Sequence, residues 1–161
     1  MWNTLGELVA ELGGAAAGDQ AALPARTFGP LSFVHLQRRD RVAQAVSRHR
    51  AEASGTWHLG FEEAEHPVEP RYDFAQIGGY LAEAQGETAA WEGWFAANAI
   101  TPLRVAYEDL AADPVAVAGA VLDYLGLTAL HPVGSPVQRM ADATRAAWVV
   151  RFRAEAGLAA G

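Results

Sequence analysis

The sequence predicts an α/β fold on three observations. Two short runs, near 32–36 and 103–107, have the apolar character and length of strands. Each passes directly into helical spacing, as parallel strands flanked by helices require. Most other apolar residues recur at steps of three and four. With 161 residues, 51% hydrophobic and 19% charged side chains, the chain reads as a single folded domain over 1–161.

Leu5, Leu8, Val9 and Leu12 predict an amphipathic helix from Trp2 to Leu12, ended by Gly13-Gly14. Ala15 to Pro30, with Pro24 and Pro30 in it, has no clean period and reads as a loop with at most one weak helical turn. A strand follows at about Ser32 to Leu36, with His35 facing the sheet's other layer. From Asp40 to Ala53 a helix is expected. Val42, Ala45, Val46 and Ala53 mark its packing stripe, and Arg39, Ala43, Ser47 and Arg50 an adjoining one, so it can pack and bind at once.

Ser54-Gly55 closes that helix, and the acidic, proline-bearing stretch from Gly60 to Pro70 reads as a surface loop. Phe74, Ile77, Leu81, Ala84, Thr88, Trp91 and Phe95 predict a long helix through Asn98, with Gly86 as a soft point. Its Trp91, Trp94 and Phe95 read as core or subunit interface. Pro102 to Tyr107 alternates as a strand, and Asp113-Pro114 offers an N-cap and first-turn proline for a helix to Leu125, with Gly126 beyond it. The loop from Pro132 to Pro136 leads to a last helix near Asp142 to Ala156. Two strands are few, since an open parallel sheet usually has four or five with helices on both faces. The expectation is that N-terminal strands are missing and that the exposed edge favours self-association, as in a homodimer, or poor solubility.

The net charge is -7, yet five of the twelve arginines (Arg38, Arg39, Arg41, Arg48 and Arg50) fall within thirteen residues. That concentration of positive charge on an acidic background points to a local anion site. There is no lysine, as codon bias in a GC-rich genome would also produce, so no Walker-type, Schiff-base or proton-shuttling lysine exists. The acidic balance argues against a nucleic-acid partner. The absence of cysteine removes disulfides, thiol nucleophiles and cysteine-metal clusters. No run has the length of a membrane span, and Glu7 and Glu11 stand where a signal peptide is basic and then apolar. A cytoplasmic protein with no membrane partner is expected. Glu62-Glu63-Ala64-Glu65-His66 lacks a ligand spacing and reads as a solvated face, so no metal is expected.

Three blocks carry a resemblance. Arg38 to Arg48 with Trp57-His58, then Pro102 to Pro114 around Tyr107-Glu108-Asp109-Leu110, then Gln138 to Asp142 leading to Trp148-Val149-Val150-Arg151-Phe152, resemble in order the bacterial Stf0-type sulfotransferases, the trehalose 2-sulfotransferase-like group. The resemblance implies a P-loop-like three-layer domain, of which this chain would be the C-terminal portion. It implies transfer of sulfate from 3'-phosphoadenosine 5'-phosphosulfate (PAPS) to a carbohydrate hydroxyl, with a trehalose- or glucose-like acceptor and 3',5'-bisphosphoadenosine (PAP) as product.

In the wider sulfotransferase pattern an arginine at a strand end and a serine eight residues later contact the donor's 3'-phosphate, and Arg39 and Ser47 match that spacing. Guanidinium forks, a hydroxyl and helix N-terminal amides suit a phosphate. Arg139 is a weaker transfer, because the family's basic, glycine-bearing loop reads Gln-Arg-Met-Ala-Asp here. Arg38 and Arg41 read equally well as solvated or paired with Asp40. Trp57 and His58 read as substrate-binding through ring stacking, or as a buried Trp with a hydrogen-bonded neighbour. Glu108 and Asp109 read as structural.

The family's N-terminal strand, its phosphosulfate-binding Ser/Thr-Gly-Ser/Thr turn and the segment supplying the base have no counterpart in Met1 to Pro30. No catalytic residue is therefore assigned, and the chain is expected to be incomplete as an enzyme. The alternative is a non-catalytic PAP- or nucleotide-binding or interaction module. A P-loop-kinase relative is disfavoured by the lack of lysine.

Overall fold

Both expected strands form, and they pair with each other in parallel. β1 (Val34–Gln37) and β2 (Leu103–Ala106) run in register from Val34↔Leu103 to Gln37↔Ala106. The computed structural model describes residues 2–14, 19–55, 69–128 and 143–159, and among them the sheet has these two strands. The helices are α1 (Trp2–Glu11), α2 (Asp19–Phe28), α3 (Arg41–Ser54), α4 (Phe74–Ala97), α5 (Tyr107–Ala112), α6 (Pro114–Leu125) and α7 (Ala143–Glu155). The protein is thus mixed α/β and mostly helical. Trp57, His58, Arg139, the loop expected at 132–136 and most of that expected at 60–70 lie outside the described residues.

The chain divides into two compact units, Met1–Gln37 with Glu87–Val137, and Arg38–Gly86 with Gln138–Gly161. In the first, one side of the sheet meets the aromatic residues of α4. Phe33 stands edge-on to Trp94 at 5.5 Å, and the buried His35 ring lies 5.3 Å from Phe95. The expected cluster of Trp91, Trp94 and Phe95 is therefore core. On the other side Val34 and Leu36 stay exposed, and with Val105, Val117, Val121 and Leu122 they border an open apolar groove of about 340 Å³. Asp113 caps α6 by accepting the Ala116 amide at 2.9 Å, with Pro114 in first place and Gly126 left-handed at φ 66°.

The second unit packs α3, the first part of α4 and α7. Val46 and Ile77 are fully buried, joined by Val42, Ala45, Val149 and Phe152. Phe74 stacks on Phe152 at 4.9 Å, so Phe152 and Val149 of the Trp148 to Phe152 block serve packing while Val150 is exposed. Across the surface of α3 and α4, Arg48 binds Glu52 at 2.9 Å and Glu83 at 2.7 Å and covers the Tyr80 ring. The Tyr80 hydroxyl donates to Glu52.

Several expectations need correction. Much of the supposed loop from Ala15 to Pro30 is helix α2, with Pro24 inside it. Ala21, Ala22 and Ala25 favour helix, and they offset part of the cost of about 3 kcal/mol that a proline in the middle of a helix carries. Packing on α1 adds to this: a Cβ on Gly14 would lie 2.7 Å from Val9 Cγ1 and 2.8 Å from Leu23 Cδ2, so only glycine lets the two helices close. The first strand lies at Val34–Gln37, later than Ser32 to Leu36. Gly86, the expected soft point, lies within the continuous helix α4 at the point in the sequence where one compact unit gives way to the other.

Tyr107 belongs to α5, whose first turn places Glu108 and Asp109 where the helix dipole favours carboxylates. Ala43, expected on the binding stripe of α3, is buried, whereas Ala53, expected on the packing stripe, is exposed.

Truncating Ile77 to Ala should lower stability by about 3 kcal/mol, because it removes a fully enclosed side chain from the contact of three helices. Urea unfolding checks this, and an unchanged midpoint would contradict the packing.

Candidate functional site

The start of α3 is set by Asp40. Its backbone is extended (φ -83°, ψ 90°), its Oδ1 accepts the Ala43 amide at 2.9 Å, and its carbonyl accepts the Gln44 amide at 3.0 Å. The amides of Arg41 and Val42 therefore point out of the helix N-terminus, where the helix dipole attracts anions. Arg39 is exposed one residue ahead of this cap. Ser47 is half-buried and lies seven residues after Asp40, so it shares the cap's face of the helix. About 10 Å of helix rise separates cap and serine. One phosphate touches both only if the Arg39 side chain lies back along α3.

Helix packing engages three of the five clustered arginines. Arg41 Nη1 donates to the Ala84 carbonyl of α4 at 3.3 Å. Arg48 is held by Glu52 and Glu83, and its bond to Glu52 is the main cause that raises its pKa. Arg50 lies over the Trp148 ring at 5.7 Å, and burial, then the neighbouring Arg145, lowers its pKa.

Asp40 has a partner that the expected pairing with Arg38 and Arg41 does not include. Arg153 Nη2 of α7 lies 3.0 Å from Asp40 Oδ1, with the arginine side chain only 19% exposed. No local spacing signals a contact between residues so far apart in sequence. His49 is likewise buried without a sequence signal, its Nε2 2.7 Å from the Arg71 carbonyl, to which it must donate.

In the first unit the strands end together at Gln37 and Ala106, and the chain continues from β2 into Tyr107, Glu108 and Asp109 of α5. His35 and Arg104, directly opposed across the ladder, both reach Glu92 of α4. Arg104 donates through Nε at 3.2 Å and Nη2 at 2.6 Å, and His35 Nδ1 lies 3.3 Å away. Arg104 is the main cause that holds the Glu92 carboxyl below the usual range. The apolar groove offers no polar side chain to a phosphate.

Of the sequence-derived site residues, Ser47 lies on α3 and Arg39 just ahead of its cap, while Trp57, His58 and Arg139 lie outside the described residues. Among the described residues no group of three His, Asp or Glu gathers that could hold a metal, and no helix is long and apolar enough to cross a membrane.

The family described as Stf0 sulphotransferase matches residues 1–155. Trehalose 2-sulfotransferase of Mycobacterium tuberculosis (strain ATCC 35801 / TMC 107 / Erdman) is 32% identical over 124 residues, which are 77% of this chain and 46% of the relative. Trehalose 2-sulfotransferase of Mycolicibacterium smegmatis (strain ATCC 700084 / mc(2)155) is 28% identical over 124 residues, again 77% of this chain and 46% of the relative. The chain spans about half the length of the curated relatives it matches.

The charge bridge at Glu92 has a pH signature. Its folded pKa is depressed, so its contribution is full above the ordinary carboxylate range and is lost as pH falls through the lowered value. Glu92→Gln should therefore lower the melting temperature at pH 7 by a few degrees at most, since the pair is partly exposed, and the deficit should vanish in acid. A deficit independent of pH between 7 and 3 would contradict the bridge.

Proposed function

The chain belongs to the Stf0 sulphotransferase family, and we propose that it forms the part of a sulfotransferase that holds the 3'-phosphate of PAPS, on Arg39 and Ser47. The observation that carries this reading is the start of α3, where an exposed arginine, outward-pointing amides and a serine on the cap's face follow a parallel strand. Ends of parallel strands that lead into helices are where α/β folds present ligand-binding groups. Each charge-assisted bond to the phosphate contributes about 1.5 to 3 kcal/mol.

In the proposed reaction an acceptor hydroxyl oxygen bonds to the sulfur of PAPS, the bond from sulfur to the bridging phosphate oxygen breaks, PAP leaves and the hydroxyl proton passes to a base. The residues of this chain bind and orient the nucleotide end of the donor. No residue of this chain is assigned to the phosphosulfate loop or to the base. The acceptor is a sugar hydroxyl, of trehalose or a glucose-like sugar, as the names of both relatives support.

The same reading takes Arg139 as a further phosphate contact and Trp57 with His58 as acceptor contacts. It treats the two units as parts of one P-loop-like, three-layer domain of a cytoplasmic protein that self-associates through its open sheet.

Calorimetric titration with PAP tests the assignment. Binding by the unaltered chain should weaken at least about tenfold in Arg39→Ala and by a smaller factor in Ser47→Ala. No PAP binding, or affinity unchanged in Arg39→Ala, would overturn it. A sulfate-transfer assay on trehalose should show no turnover by these 161 residues; turnover would overturn the reading that they serve only to bind the donor.

A further inference from the structure

The carboxylate that caps α3 opposes the ligand proposed for that helix. Asp40 stands in the same turn as the amides that would face a phosphate, and two negative charges a few ångströms apart repel. An asparagine caps a helix about as well without carrying that charge. Here the charge is retained and met from another element. Arg153 Nη2 of α7 lies 3.0 Å from Asp40 Oδ1, the oxygen that also accepts the Ala43 amide at 2.9 Å. The pair is sheltered, with the arginine side chain 19% and the aspartate 34% exposed. Arg153 is also held in place, because Phe152 and Val149 of the same helix are anchored in the core with Val42 and Val46 of α3.

We propose that Arg153 is a positioning residue for the donor nucleotide: by neutralising Asp40 it removes the charge that would repel a 3'-phosphate held between Arg39 and Ser47 on the cap's face of α3. The proposal rests on the reading of Arg39 and Ser47 as the phosphate seat. Arg153 acts through Asp40 and makes no bond to the phosphate. A role in folding alone would change stability without changing affinity in the folded protein, and a direct phosphate contact would not depend on the charge at position 40.

The test is PAP titration of R153Q, R153K, D40N and the double variant D40N/R153Q, each with its thermal midpoint measured so that binding is read on folded protein. R153Q should bind PAP about tenfold more weakly and R153K within about threefold of the unaltered chain. D40N/R153Q should return to within about threefold, because asparagine still caps and the repulsion is gone. D40N alone should bind more tightly than the unaltered chain, and this arm carries the test should R153Q not fold.

Unchanged affinity in folded R153Q, no recovery in the double variant, or equal or weaker binding in D40N would overturn the role given to Arg153. Absence of PAP binding by the unaltered chain would overturn the reading of the whole site and this role with it.

Discussion

The hydrogen bond from the Ala43 amide to the Asp40 carboxylate is the constraint on which the rest of the second unit depends. It decides the residue at which extended chain becomes helix, and so the rotation of α3 about its own axis. With that rotation set, Val42, Ala45 and Val46 turn into the contact with Ile77, Val149 and Phe152, while Ser47 falls on the face below the cap. The same carboxylate receives Arg153. One side chain thus links helix start, core register and the charge of the candidate site.

Core burial, rather than the surface ion pairs, holds that arrangement. Arg48 with Glu52 and Glu83, and Arg151 with Glu155, have geometries short enough to count as hydrogen bonds. Their side chains are nonetheless more than a third exposed, where solvent screens most of the attraction. The enclosed aliphatic and aromatic contacts fix α3 in the second unit. The first unit follows a different logic. Its two strands are covered by aromatic rings on one side and leave Val34 and Leu36 exposed on the other, an unusual state for parallel strands, which are generally buried on both faces.

What could be read from the sequence followed from local rules. Asp113-Pro114 and Gly126 act through neighbours within four residues, and the structure has them as cap and terminator; the start expected at Asp40 likewise holds to within a residue. The spacing of Arg39 and Ser47 was visible because both lie along one turn and helix. Pro24 misled because its local penalty was outweighed by the fit of α2 on α1 across Gly14, which no window of sequence contains. Arg153 with Asp40, Glu92 with Arg104 and His35, and the burial of His49 all depend on which elements meet. A surface-looking arginine near the end of a helix and a glutamate between two tryptophans carry no local mark of such partners.

The central claim is that the first turns of α3 seat a 3'-phosphate. Backbone amide chemical shifts, followed while PAP and adenosine 5'-monophosphate are titrated separately into the labelled chain, test it directly. Shifts should concentrate on Arg39 to Ser47 with PAP and be much weaker with the mononucleotide that lacks the 3'-phosphate. Equal shifts with both nucleotides, or PAP-induced shifts that leave Arg41, Val42 and Ala43 unmoved, would contradict it.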